Sequence, residues 1–197
     1  MSSDSNTYQK GYKKFGVDPR SLKWHTKKAA KQRYAQIIAD VDFSNKNILD
    51  VGCGFGDIVT YIAKKSEGFT YTGVDLVPEF IEEAKKINPK QTFLVRDYFN
   101  NPLEKKFDII ICSGALNSNV KDNLAFRKDA IKTMYEHTKE IVVFNMAGKY
   151  PCTKTSSKSN VWFADPLEIL EYCMILTPKV ILRNNYHTRD FTILMFK

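Results

Sequence analysis

The stretch Ile48-Leu49-Asp50-Val51-Gly52-Cys53-Gly54-Phe55-Gly56-Asp57 decides the reading of this 197-residue chain. A short apolar run ends in an acid, three glycines follow at alternate positions, and a helical pattern starts at Asp57. That describes a strand turning tightly into a helix, with glycines where backbone must come close to a bound molecule or take angles that a Cβ opposes. Asp75 stands 25 residues after Asp50 and closes the next apolar run, Phe69 to Val74. A carboxylate there can accept hydrogen bonds from two adjacent ribose hydroxyls, so the layout predicts a nucleoside pocket on an α/β sheet. In a dinucleotide fingerprint the third glycine follows the second by three positions, and the pyrophosphate sits on the helix N-terminus. Here the spacing is one residue tighter, and Asp50 and Asp57 would repel a pyrophosphate. A ligand with a cationic centre and an ammonium group suits this loop better.

Working outward, strands and helices alternate. Apolar positions Ala30, Tyr34, Ile37, Ile38 and Val41 recur at helical spacing and predict a helix over 26–40. Strands are predicted at Asn47–Val51, Tyr71–Asp75, Thr92–Val95, Phe107–Cys112, Ile141–Asn145, Val180–Arg183 and Phe191–Phe196. Helices are predicted over 57–65, from Pro78 to Asn88-Pro89, and from an Asp122 cap to about Thr138. Asp165-Pro166 caps a further helix that runs to Leu176. This order predicts a doubly wound, Rossmann-like sheet of seven strands, mostly parallel with the last strand antiparallel, and helices on both faces. The division expected is an N-terminal arm or cap over 1–25, frayed from Met1 to Thr7, and a single domain over 26–197. Ligands in such sheets bind beyond the carboxyl ends of the strands, where all the acids and glycines named above fall.

Composition narrows the class. A content of 43% hydrophobic residues is ordinary for a globule, and no apolar run nears the roughly 20 residues of a membrane span. Cys53, Cys112, Cys152 and Cys173 form no C-x-x-C pair, and the three histidines have no ligand spacing beside them. A reduced, cytoplasmic protein without a structural metal is the expectation. Between positions 10 and 33 nine bases face one acid, an excess equal to the +8 of the whole chain. The basic character is therefore local.

Leu49 to Asp57 closely resembles the glycine-rich first motif of the class I S-adenosylmethionine-dependent methyltransferases. The resemblance continues through Gly73-Val74-Asp75-Leu76, Arg96-Asp97-Tyr98 and Phe107 to Gly114, and covers roughly positions 46–147 well. It implies S-adenosylmethionine as cofactor and S-adenosylhomocysteine as product. It implies that the Gly52-Cys53-Gly54-Phe55-Gly56 backbone packs under the methionine part and ribose, with Asp50 near the ammonium. Asp75 would take the ribose hydroxyls and Leu76 would lie on the adenine. Asp97 would accept the adenine amine beside Tyr98, and Ser113 to Asn117 would line the transfer chamber.

In-line displacement from a sulfonium rests mainly on positioning, and needs a base only where the acceptor must lose a proton early. No catalytic residue is identified by the sequence. Weak candidates are Tyr12, His25, Asn117 and His187, each with a plainer role in capping, packing or a solvated loop. Ser113 to Asn117 lacks the Asp/Asn-Pro-Pro-Tyr/Phe tetrapeptide of enzymes that methylate amino groups in DNA, which counts against that substrate. Pro151-Cys152 resembles the nucleophile dipeptide of cytosine-C5 methyltransferases but follows the wrong strand, and reads as loop chemistry. The acceptor expected is a small molecule, anionic in view of Lys27, Lys28 and Lys31 in the first turns of a helix, where positive charge is mildly unfavourable. Two alternatives stay open: an RNA or protein acceptor held by the basic 10–33 segment, or a non-catalytic module that only binds the cofactor. Oligomeric state is not legible.

Overall fold

The computed structural model describes residues 3–23, 26–148, 150 and 160–197. Seven strands form one sheet: β1 (Asn47–Val51), β2 (Thr70–Asp75), β3 (Thr92–Val95), β4 (Phe107–Ser113), β5 (Thr138–Ala147), β6 (Val180–Arg183) and β7 (Asp190–Phe196). Their spatial order is β3-β2-β1-β4-β5-β7-β6. β1 is parallel to β2 and β4, and β4 to β5, while β7 runs antiparallel between β5 and β6. β7 is thus internal, buried at six of its seven positions, and β6 forms the edge. Chain direction reverses its winding between β1 and β4, which opens the crevice at their carboxyl ends.

Helices α2 (Lys27–Ile38), α3 (Ile58–Ile62) and α4 (Pro78–Ile87) cover one face. Their stripe Tyr34, Ile37, Ile81 and Ala84 is buried on Ile48, Ile109 and Ile111. Helices α5 (Asn123–His137) and α6 (Pro166–Leu176) cover the other, with Ile131, Met134, Ile169 and Cys173 on Leu49, Ile110, Val142 and Ile193. Inner strands such as β4 therefore face apolar layers on both sides, as their continuous apolar runs require. The Asp122 and Asp165 caps stand where the sequence puts them: Asp122 Oδ1 accepts from Ala125 N at 3.1 Å and Asp165 Oδ1 from Leu167 N at 2.9 Å. The structure adds a third, the Thr26 hydroxyl, which accepts from Ala29 N at 3.1 Å.

Three local expectations are corrected. The helix expected over 57–65 ends at Ile62, because Ser66 turns inward and its Oγ accepts from Phe43 N at 3.2 Å. Strand β5 starts at Thr138 directly after α5, where Thr138 Oγ1 bonds the carbonyls of Asp108 and Ile141. The start of the chain, expected to fray, enters helix α1 (Ser3–Phe15). Tyr8 and Tyr12, four apart on one helical face, pack on Phe80, and Tyr12 also on Phe55. No helix among the described residues is long and apolar enough to cross a membrane.

Helix α2 is pinned to β7 by Arg33, whose Nη2 and Nε donate to the two oxygens of Asp190 at 2.7 and 3.0 Å. Asp190 is 4% exposed. Arg33→Met should strand that carboxylate and destabilise the chain by about 2–4 kcal/mol, somewhat below a fully buried pair because Arg33 is partly solvated. Chemical denaturation of the variant against the parent measures it.

Candidate functional site

The glycine loop owes its path to backbone angles that side chains oppose. Gly52, Gly54 and Gly56 have φ of 75°, 54° and 72°, so the alternate spacing in the sequence is an alternation of left-handed turns. Gly52 and Cys53 both donate to Val74 O, at 2.8 and 3.0 Å, which ties the loop to the end of β2. A Cβ on Gly52 would stand 2.4 Å from Ala115 Cβ, and one on Gly54 3.0 Å from a Leu22 methyl. The loop thus lies beneath two separate segments, the β4–α5 connection and the 3₁₀ turn Pro19–Leu22.

Between these segments a cavity of about 300 Å³ opens at the carboxyl ends of β1, β2 and β4. Asp50, Gly52, Cys53, Gly54, Asp75, Leu76, Asp97, Tyr98 and Ser113 all line it. Gly56 does not: its Cβ position meets the Phe93 ring at 2.9 Å and Asn88 Nδ2 at 3.0 Å. Its smallness serves the packing of the loop against β3 and the end of α4. Tyr12 and Asn117 also lie off the cavity wall. Tyr12 donates to Glu83 at 3.0 Å. Asn117 Oδ1 accepts from Ala147 N at 2.7 Å and Asn117 O from Trp162 N at 2.9 Å. His187 sits 3.1 Å from Asp190, at the α2 contact. His25 and Pro151-Cys152 fall outside the described residues.

The acids differ in their surroundings. Asp50 is 3% exposed, accepts from the Tyr71 hydroxyl at 2.5 Å through Oδ2, and has no partner for Oδ1. Burial raises its carboxyl from 3.8 to about 7; the Tyr71 hydrogen bond opposes this and the nearby Asp75 adds to it. Asp75 is braced by backbone: Oδ2 accepts from Gly54 N at 2.9 Å and Oδ1 from Val77 N at 3.0 Å. Burial raises its pKa too, against those amide hydrogen bonds. Asp97 is half-buried and accepts from Asn100 Nδ2 at 2.9 Å. Cys53 and Cys112 are buried thiols pushed well up by desolvation, so neither is a ready thiolate.

Several wall residues carried no signal as site residues in the sequence. Tyr34 reads as part of an apolar stripe, yet lines the cavity as well as the core. Leu22 reaches it from the N-terminal segment, beside Tyr8 of the arm expected to act as a cap, and Phe99 and Phe126 from the other side. Arg127 looks like one more base on a surface helix, but is 0% exposed. Its Nε donates to Leu116 O at 2.9 Å, its Nη1 to Asn123 Oδ1 at 3.1 Å and its Nη2 to Ser118 O. Its guanidinium lies 4.8 Å from the Trp162 ring centre. It fixes the loop that carries Ala115, Ser118 and Val120 into the wall.

Residues 42–179 match the family described as methyltransferase domain. The chain belongs to that family, and the likeness to its class I S-adenosylmethionine-dependent members holds across the sheet. The chain is 37% identical over 68 residues to a protein of Invertebrate iridescent virus 6 named as methyltransferase 235L, covering 34% of this chain and 26% of the viral one. It is 30% identical over 107 residues to norajmaline N-methyltransferase of Rauvolfia serpentina, covering 51% of this chain and 36% of that enzyme. This chain thus spans about a quarter to a third of the length of these two relatives. Among solved structures, magnesium protoporphyrin IX methyltransferase from Synechocystis with bound SAH overlays with a TM-score of 0.68. The overlay covers 100% of this chain and 95% of that one at 15% identity, a likeness of fold.

Gly56→Ala separates packing from binding. It should lower stability by about 1–3 kcal/mol, through crowding against Phe93 and the left-handed backbone the alanine must keep, while the folded fraction keeps its affinity for S-adenosylhomocysteine. Thermal melting with and without that ligand reads both.

Proposed function

We propose that this protein transfers a methyl group from S-adenosylmethionine to a small-molecule acceptor, by in-line displacement in the cavity at the ends of β1, β2 and β4. The observation that carries the reading is the unpartnered Oδ1 of Asp50, a buried acceptor in the wall beside a glycine cradle that a Cβ would fill. A buried polar atom left unmatched is costly, and a ligand ammonium supplies its missing donor. Asp75, already oriented by Gly54 N and Val77 N, takes the ribose hydroxyls. Leu76 and Tyr98 flank the adenine, and Asp97 accepts its amine. Ser113 lies at the transfer end, where its hydroxyl shares a hydrogen bond with the Asn145 side chain at about 3.3 Å.

When bound, the cofactor supplies an electrophilic methyl on a positively charged sulfur. The chain's own part is to orient and to exclude water. Tyr8, Tyr12 and Leu22 form an apolar cover with Phe55, Val77 and Phe80, and a dry, oriented site raises the effective concentration of reacting groups. Gln9 and Tyr12 bind the cover to Glu79 and Glu83 of α4 at 3.0–3.3 Å. A small acceptor is supported by likeness to enzymes named for small-molecule substrates. The named substrates of two relatives, norajmaline and magnesium protoporphyrin IX, are themselves small molecules.

Calorimetry with S-adenosylhomocysteine tests the seat directly, and no heat of binding at millimolar ligand would end this reading. Asp75→Ala should weaken binding by about 1.5–3 kcal/mol, because charge-assisted hydrogen bonds are lost. Acidity is a second handle. Below about pH 7 the Asp50 carboxyl is protonated in the ligand-free chain, and an ammonium ligand then loses its counter-charge. Affinity should therefore rise about tenfold from pH 6 to pH 8. Asp50→Asn should bind weakly and show a flat profile over the same range.

A further inference from the structure

Tyr71 lies behind the cavity wall, not in it. It is 2% exposed on β2 and belongs to the apolar cluster of Ile48, Ile81, Ala84 and Phe93, its ring centre 5.7 Å from that of Phe93. A phenylalanine would fill such surroundings. A buried hydroxyl is costly there unless it is hydrogen-bonded, so the hydroxyl is what packing leaves unexplained. It donates to Asp50 Oδ2 at 2.5 Å, within the range of a charge-assisted bond. Strand register makes the contact possible. Asp50 stands opposite Gly73, which offers no side chain, and Tyr71 shares the Gly73 face of β2, two residues earlier.

The other Asp50 oxygen is placed differently. Asp50 lines the cavity, and among the described residues its Oδ1 has no hydrogen-bond partner. One oxygen is therefore tied from behind and one is left for a ligand. A carboxylate without such a tie turns readily about its last torsion, whose energy wells are broad and two-fold. We infer that Tyr71 is a positioning residue of the cofactor seat: untouched by the ligand, it clamps Asp50 so that the carboxyl keeps its charge and presents Oδ1 to the ligand ammonium. The inference rests on the seat proposed above and assigns its alignment to a residue outside it.

The groups that face Asp50 show why a clamp is needed. Desolvation favours the neutral acid most, and Asp75 at the end of β2 adds to it; among the described residues the Tyr71 bond alone opposes them. Cys53 of the glycine loop, Cys112 of β4 and Tyr34 of α2 feel the Asp50 charge, but burial pushes each of them well up, so each stays neutral. Burial also pushes the Tyr71 phenol well above its ordinary value, which keeps it a donor throughout the neutral range. Loss of that donor withdraws the influence that favours the charged form. The Asp50 carboxyl, at about 7 in the parent, must then titrate higher.

Tyr71→Phe keeps the ring and removes the hydroxyl. Its affinity for S-adenosylhomocysteine should be measured by calorimetry between pH 6 and pH 8.5. The Asp50 carboxyl should be titrated by carbon-13 NMR in the ligand-free chain, its signal assigned by its absence from Asp50→Asn. Both midpoints should move up by about one pH unit, which makes binding about tenfold weaker than the parent's at pH 6 and within about threefold of it at pH 8.5. In the Asp50→Asn background, adding Tyr71→Phe should leave the weakened affinity unchanged. An unmoved midpoint, a loss of the same size at every pH, or a further loss in the Asp50→Asn background would overturn the assignment, since each marks Tyr71 as packing alone. Should Tyr71→Phe fail to fold, the parent's own Tyr71 hydroxyl proton carries the test. It should resonate far downfield at pH 8 and move upfield as Asp50 gains its proton, and no response rejects the clamp. The two readings fail separately. No uptake of S-adenosylhomocysteine by the parent rejects the seat; uptake with an unmoved Asp50 titration in the variant rejects the clamp alone.

Discussion

A carboxylate buried at the end of a central parallel strand is the constraint around which this molecule is arranged. Asp50 lies in β1 between Gly73 of β2 and Ile111 of β4, out of water and matched on one oxygen only. Such a group costs stability unless it is neutralised or given a partner. Tyr71, on the neighbouring strand, supplies half of that partnership. The rest is left to whatever occupies the cavity. An acid raised to about 7 is also poised to change charge when a cationic ligand arrives, so binding and ionisation are physically linked at this strand end.

The remaining walls are assembled from distant parts of the chain by short-range forces. The N-terminal helix is held by ring contacts of Tyr8 and Tyr12 with Phe55 and Phe80, 6.1–6.3 Å between centroids, and brings Leu22 down onto Gly54. On the other side, Arg127 gathers the carbonyls of Leu116 and Ser118, while Asn117 links that loop to Ala147 and Trp162.

Much of the fold was legible because local chemistry and tertiary structure ask for the same residues. Asp122 and Asp165 cap helices in such a pattern, and a strand such as Ile109-Ile110-Ile111, apolar on both faces, belongs in the middle of a sheet. Spacing marked Asp50, Gly52, Gly54 and Asp75 at strand ends, and the family resemblance pointed to Leu76, Asp97, Tyr98 and Ser113; all eight line the cavity. Gly56 shows the limit of that reading. Its positive φ belongs to the same turn series, but the space it leaves is filled by Phe93, a residue 37 positions away. Tyr12 and Asn117 were candidates by position along the chain, and their side chains turn to Glu83 and Ala147 instead. Arg127 gave no signal, since one arginine on an amphipathic helix looks like any solvated base.

What the sequence by itself determined is the alternation of strands and helices and the chemistry at each strand end, because hydrophobic period, caps and positive-φ glycines act within a few residues. What only the tertiary structure decided is which side chains face one another across the crevice. Tyr71 beside Asp50, Leu22 over Gly54, Ala115 over Gly52 and Arg127 under the β4–α5 connection are meetings of residues 11 to 63 positions apart. They are fixed by packing and by the need to pair buried polar atoms, and neither condition is written in a local stretch of chain.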